Sequence, residues 1–380
     1  MKIEIFSPTI RRREMDAVLT AMVEEKIGPG DRNRLLIQTA KEQLLFDYAL
    51  ALRSPAVALH SALKALGAKP GQTVVLSALS PRYYLNVVQD LQLTPLFCDV
   101  TYDFPCMSRD LIENAIAKKA SGENPAEVSD GQVSDTQICA IVLHHTLGFV
   151  PDTAAIAELG FPVIEDISQS YGSWLSLGSK NEKDKEKNET QPQDTNSVHA
   201  RIDGVYCILG LEERDMLTSG GGALLFAMNR KDSAALRIFS PMANEFCLPD
   251  INAALAIVQF KEIMRSIERR RDIAQVFLQA SLSLATRTKH KMFVPISESE
   301  YCNYSFSLVL EAGLKDVIAY AKKKEIEIEN AFDGTIAAAG HCPDCPVSNS
   351  LCLRTVLFPM YPSLRSAEVE RISRLVMTLP

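Results

Sequence analysis

Short, almost wholly apolar runs alternate with stretches whose apolar residues recur at helical spacing, and this alternation restricts the fold more than any other feature. The runs are residues 48–52, 73–76, 95–100, 138–143 and 162–165. Between and before them, residues 12–25, 35–49, 57–66, 84–91 and 109–119 carry one apolar face each, as in Met15, Val18, Leu19 and Met22. A strand that is apolar on both sides must be covered on both sides. Helices that return the chain to the same edge do that for a parallel sheet. The expected class is therefore α/β, with a mostly parallel sheet sandwiched by helices.

The texture changes near residue 236. A long helix over 251–271 is expected to end in Glu268-Arg269-Arg270-Arg271-Asp272, read as a solvated face with i,i+4 ion pairs. Strands around 292–294 and 304–310 and a last helix over 367–376 follow. With 380 residues available, two domains are expected: a large one over 1–235 and a smaller α+β domain over 236–380. Residues 121–136 and 179–200 are polar, rich in mixed charge and poor in large apolar groups, so they are expected to be disordered surface insertions.

A formal net charge of -7 with no basic stripe argues against nucleic acid as a partner. No run is long enough to span a bilayer and the N-terminus has no leader pattern, which predicts a cytoplasmic protein without a membrane partner. The nine cysteines lie mostly in apolar segments, as reduced buried thiols do. His341-Cys342-Pro343-Asp344-Cys345 contains a CxxC. It is expected to be a loop with incidental thiols, a zinc or redox site being the alternative, and no metal site is assigned.

Several segments, in order, resemble the DegT/StrS-type sugar aminotransferases. They are Ile5-Phe6-Ser7-Pro8-Thr9-Ile10 with Gly28-Pro29-Gly30, Ala58-Leu59-His60-Ser61-Ala62-Leu63, Thr94-Pro95-Leu96-Phe97-Cys98-Asp99-Val100, and His145-Thr146-Leu147-Gly148. Pro162-Val163-Ile164-Glu165-Asp166-Ile167-Ser168-Gln169-Ser170-Tyr171-Gly172 is similar to the family's cofactor-ring segment, and Leu357-Phe358-Pro359-Met360-Tyr361-Pro362 to its C-terminus. The resemblance implies the pyridoxal-phosphate-dependent transferase fold of type I, with a seven-stranded-type sheet, a homodimer, and a nucleotide-linked sugar as ligand. In such sites a buried carboxylate keeps the pyridine nitrogen protonated. Asp166, at the carboxyl edge of the sheet, takes that position, and Gln169 the position that reaches the ring substituents. Local sequence also allows Asp166 as a helix N-cap with Gln169 closing a capping box.

Other positions depart from the family. The Schiff-base lysine precedes the glycine-rich turn Thr218-Ser219-Gly220-Gly221-Gly222, and counting back from it reaches Arg214. A guanidinium stays protonated and is a poor nucleophile toward an aldehyde. No lysine occurs between Lys187 and Lys231, and no histidine replaces it as in the family's dehydratases. The phosphate turn reads Ser54-Pro55-Ala56, where proline removes an N–H and alanine a hydroxyl. The stacking aromatic falls near Tyr83, the serine upstream of the lysine near Leu209, and the asparagine lent by a second subunit at Glu245. Candidate cofactor-contacting residues are thus Asp166, Gln169, Ser54, Ala56, Tyr83 and Ser219; candidate ligand-contacting residues are Arg82, His145 and Arg214. Bland alternatives stand beside these: Arg214 as a surface ion pair, His145 as a satisfied core histidine, and the glycine run as a strand-entry turn. The departures imply a degenerate homologue that binds without catalysis, with pyridoxal phosphate absent or held weakly and non-covalently. The alternative is an active aminotransferase or amine-cofactor dehydratase acting on a nucleotide-linked keto sugar through atypical residues.

Overall fold

The structure, a computed structural model, describes residues 2–120, 137–175, 202–238, 242–296 and 299–380. Both polar stretches expected to be disordered insertions lie outside these residues. Helices α1 (Arg12–Val23) and α2 (Asp31–Leu44) lead into the sheet strands β1 (Tyr48–Leu52), β2 (Thr73–Ser77), β3 (Thr94–Cys98), β4 (Ile138–His144) and β5 (Val163–Asp166). After the two-residue β6 (Trp174–Leu175) come β7 (Tyr206–Gly210) and β8 (Ala223–Ala227). The seven long strands form one sheet in the order β1-β8-β7-β5-β4-β2-β3. Only β8 runs against its neighbours; the remaining pairings are parallel.

Helices α3 (Pro55–Ala65), α4 (Arg82–Asp90), α5 (Arg109–Ala120), α6 (Thr153–Ala157) and α7 (Arg230–Ile238) belong to this layered domain. On one face Leu76, Val142, Ile164 and Ile208 pack under Leu59 of α3 and Tyr84 of α4, all buried. On the other, Val75, Ile141, Leu143 and Val163 meet Ile112 of α5 and Ile156 of α6. Each such side chain contributes about 1.5–3 kcal/mol when fully buried, so the strands that read as continuous apolar runs are those covered twice. The chain runs from β2 outward to β3 and then returns to place β4 on the opposite side of β2. That reversal opens a crevice at the carboxyl ends of the strands, where open α/β sheets bind ligands.

Helix α8 (Asp250–Ala285) joins the two parts of the molecule: Ala253, Ile257 and Phe260 pack with the large sheet, whereas Ile273, Phe277 and Leu284 pack with the small domain. After β9 (Ser299–Glu300), which pairs with β6, an antiparallel sheet of β10 (Phe306–Val309), β12 (Thr355–Phe358) and β11 (Glu329–Asn330) is covered by α9 (Leu314–Lys323) and α11 (Ser366–Met377), with α10 (Pro346–Arg354) preceding β12. The N-terminus crosses to this domain, where Ile3 bridges Ile326.

Three expectations need correction. The second helix stops at Leu44, because Leu45 takes a left-handed conformation (φ 56°) that turns the chain into β1. The long helix does not end at its charged run. Arg270 is only 6% exposed and its Nη1 donates to the carbonyls of Tyr304 (2.7 Å), Met360 (2.7 Å) and Asn303 (3.4 Å), so the helix carries this arginine into the seam between the domains. Only Arg271, paired with Glu300 at 3.4 Å, behaves as the solvated face predicted for the triplet. Around 292–294 there is a single bridge, Lys291 to Val309, rather than a strand.

Candidate functional site

Asp166 ends β5 and is 1% exposed, facing the same side of the sheet as His144, its register partner on β4. Both of its carboxylate oxygens are already engaged by the protein. Oδ2 accepts from the Tyr84 hydroxyl at 2.9 Å, and Oδ1 accepts from the Ser168 amide at 3.0 Å and from the Ser168 hydroxyl. The Ser168 oxygen in turn accepts from the Gly210 amide at 2.7 Å. His144 Nε2 stands 3.7 Å from Oδ2, beyond a good hydrogen bond, while its Nδ1 meets the Thr146 hydroxyl at 3.0 Å. Burial lowers the His144 pKa against the opposing pull of Asp166.

The residues after β7 close this network. Arg214 and Asp215 are neighbours in sequence but point apart. Asp215 is partly exposed as a residue, yet its carboxylate folds inward and accepts from the Glu212 amide at 2.9 Å. A Cβ on Gly210 would lie 2.3 Å from the Asp215 Oδ2 and 2.7 Å from the Ser168 Oγ, so only glycine lets strand and side chains approach this closely. Desolvation first, and the nearby Asp166 second, hold the Asp215 carboxyl well above the usual carboxylate range. Desolvation and Asp166 likewise raise the Tyr84 phenol well above its ordinary value, which keeps it a donor.

Arg214 turns the other way. Its guanidinium pairs with Glu329 of β11 and lies 5.7 Å over the Phe6 ring, with the side chain 53% exposed. The neighbouring acids Glu213 and Asp215 are not its partners. Arg214 stands at the rim of a shallow, open cleft between the N-terminal segment and the small domain, lined by Phe6, Arg270, Tyr304, Glu329 and Met360 among others.

The other predicted residues are dispersed. Gln169 neither closes a capping box nor turns to Asp166; its Oε1 accepts from the Leu147 amide at 2.7 Å. Ser54 caps α3 by accepting from the Val57 amide at 3.3 Å, with Pro55 at the first helical position and Ala56 following without a hydroxyl to offer. Ser219 is buried and donates within its own turn, to the Gly221 carbonyl at 2.8 Å. Tyr83 packs edge-on against Tyr84, with centroids 4.9 Å apart, rather than over Asp166. Arg82 starts α4 with an exposed side chain, its amide donating to the Gly334 carbonyl. His145 is a core histidine: Nδ1 meets the Ser170 hydroxyl at 2.8 Å and Nε2 lies 3.5 Å from Glu165, away from Asp166. Leu209 is fully buried, and Glu245 is exposed, its carbonyl accepting from Arg53.

This arrangement does not fit pyridoxal phosphate. The carboxylate that would face the ring nitrogen is enclosed and engaged on both oxygens by Tyr84 and Ser168, the serine at the helix start that would hold the phosphate acts as a cap, and residue 214 is an arginine. Tyr84, Ser168, His144, Gly210 and Asp215 are the residues that sequence reasoning missed. The register β4 to β5 supplies the signal for His144, since paired residues on parallel strands share a face. Tyr84 opens the stretch 84–91 whose helical spacing gives no sign of a partner for its hydroxyl.

A family model described as the DegT/DnrJ/EryC1/StrS aminotransferase family matches residues 8–178 and 225–377. The unmatched interval between them contains Arg214 and the glycine turn. A curated relative from Saccharopolyspora spinosa, a dTDP-4-dehydro-2,3,6-trideoxy-D-glucose 4-aminotransferase, is 23% identical and the match covers 98% of this chain and 95% of the relative. Among solved structures, the Streptococcus pneumoniae sugar aminotransferase Spr1654 in its PMP form is similar with a TM-score of 0.79 at 16% identity, over 100% of this chain and 97% of that one. The E. coli GDP-4-keto-6-deoxy-D-mannose-3-dehydratase with bound hydrated PLP gives a TM-score of 0.75 at 14% identity, over 99% of each chain. With the seven-stranded sheet, the smaller antiparallel domain and a family match over most of its length, this chain belongs to the DegT/DnrJ/EryC1/StrS aminotransferase family.

Proposed function

We propose that this chain is a non-catalytic member of its family that binds an anionic ligand of the nucleotide-sugar class in the cleft beside Arg214, without a covalent cofactor. The observation that carries the reading is the position of Arg214. At the position that the sequence resemblance gives to the family's nucleophilic lysine, this chain has a permanent cation, paired with Glu329 at the rim of the cleft. Arg270 lines the same cleft, its guanidinium donating to the Tyr304 and Met360 carbonyls, and Glu329 pairs with Arg214. Phe6, Phe358 and Met360 add apolar wall. A ligand with an anionic group and a flat or apolar body matches that lining.

The names of the relatives favour a second reading, an aminotransferase or dehydratase acting on a nucleotide-linked keto sugar through unusual residues. The two separate in one experiment. The purified protein is incubated with pyridoxal phosphate, treated with borohydride and digested. The first reading expects no stoichiometric cofactor band that borohydride fixes, beyond scattered adducts on exposed lysines; a stoichiometric phosphopyridoxyl adduct on a single lysine establishes the second reading instead. Ligand class is read by thermal shift with nucleotide diphosphate sugars. Stabilisation that Arg214→Ala abolishes supports the cleft, and equal shifts in both proteins count against it.

A homodimer is part of the same proposal. Met15, Leu19 and Met22 on α1 are each at least half exposed and form one apolar stripe, as a subunit contact would use. Sedimentation at micromolar concentration checks this, a monomer refuting it. Among the described residues no helix is long and apolar enough to cross a membrane.

A further inference from the structure

We propose that Tyr84 is a built-in occupant of the cofactor-ring site: its phenol donates to Asp166 in the place where a protonated ring nitrogen would donate, and closes the pocket from within. The inference rests on the reading of Asp166 as the family's ring-facing carboxylate, and it is independent of which ligand enters the cleft.

Three observations converge. The hydroxyl lies 2.9 Å from Oδ2, within the range of an ordinary O–H···O bond, and it is the sole donor within hydrogen-bond reach of that oxygen among the described residues. Tyr84 itself is 0% exposed, with its ring held between Tyr83 and the core of α3 and α4, so the phenol is fixed rather than draped across an opening. Oδ1 accepts two bonds, from the Ser168 amide and hydroxyl, and Ser168 is itself held by the Gly210 amide. An ionised carboxylate has about four acceptor sites; the Tyr84 hydroxyl and the Ser168 amide and hydroxyl take three of them, and Asp166 is 1% exposed. Without Tyr84, the buried Oδ2 of this carboxylate would have no donor within hydrogen-bond reach among the described residues, which is costly. Tyr84 explains why the aspartate is tolerated in this chain: the phenol supplies the missing donor and its ring supplies the missing volume.

Two variants test this on the full chain. Tyr84→Phe keeps the ring and removes the donor, and its urea midpoint is expected to fall clearly below that of the wild type. A midpoint equal to the wild type overturns the inference, because the hydroxyl then holds nothing. Tyr84→Ala is expected to open a ring-sized cavity against Asp166, filled by added phenol or pyridine. Either small ring is expected to raise the melting temperature of Tyr84→Ala and leave the wild type unmoved, with an apparent affinity difference of roughly tenfold or more. If circular dichroism reports a folded Tyr84→Ala that neither ring stabilises, Tyr84 is not what fills the site. The borohydride result for the wild type judges the proposed function, whereas these shifts judge Tyr84, so the two fail separately.

Discussion

Replacing Arg270 is expected to destabilise the protein far more than replacing its neighbour Arg271, although the two are indistinguishable by composition. Arg270 is 6% exposed and its Nη1 donates to the Tyr304 and Met360 carbonyls at 2.7 Å each, with a weaker contact to Asn303 at 3.4 Å. Hydrogen bonds to a charged donor contribute about 1.5–3 kcal/mol apiece, so the two short ones together represent roughly 3–6 kcal/mol. Alanine also leaves those carbonyls buried without a donor and removes a side chain from the domain seam. Relaxation and water entry recover part of that, and a loss of about 3–5 kcal/mol is expected for Arg270→Ala. Arg271 pairs with Glu300 at 3.4 Å with 53% of its side chain exposed, and such a pair contributes about 0–1 kcal/mol. Urea unfolding followed by tryptophan fluorescence and circular dichroism measures both. Arg270→Lys, with a shorter reach and no planar fork, is expected between them. If Arg270→Ala and Arg271→Ala unfold within about 1 kcal/mol of each other, the seam is not held as described.

Asp215 makes a pH prediction. Its folded-state pKa is raised well above 3.8, so the stability it contributes is present below the unfolded value and is lost as pH rises through the folded value. Asp215→Asn, which mimics the protonated carboxyl, is expected to remove that part of the decline, and parallel wild-type and variant profiles of unfolding free energy against pH would refute the assignment. Gly210→Ala sets a Cβ 2.3 Å from the Asp215 Oδ2 and 2.7 Å from the Ser168 Oγ; a cost of about 2 kcal/mol or more is expected in equilibrium unfolding, and a neutral effect would show that the strand end moves freely. Ser54→Ala removes the α3 cap, accepting from the Val57 amide at 3.3 Å, and is expected to cost about 1 kcal/mol in the same assay; a stabilising effect would contradict the capping role.

The sheet was legible because its strands are covered on both faces, and a continuous apolar run is the direct signature of that environment. Asp166 was legible because it follows such a run at a strand's carboxyl end. Its partner was not. Tyr84 sits in an amphipathic helix, where an inward tyrosine reads as bulk, and only the fold shows that its hydroxyl reaches a residue 82 positions away. Arg214 between Glu213 and Asp215 illustrates a second limit. Adjacent charges suggest local pairing, yet this turn sends Arg214 toward Glu329 and folds Asp215 back on Gly210. The triple arginine fails in the same way: helical periodicity continues through Ile273, Ala274 and Phe277, so one of three consecutive cations must face inward. Charge runs report composition, and the identity of the buried member depends on which backbone carbonyls the fold presents to it.

The most direct test of the whole account is an electron-density map of crystals grown with excess pyridoxal phosphate. The account predicts the Tyr84 hydroxyl on Asp166, as in the geometry above, with no ring density between them and Arg214 still paired with Glu329. A cofactor ring with its nitrogen on Asp166 and Tyr84 displaced would contradict it.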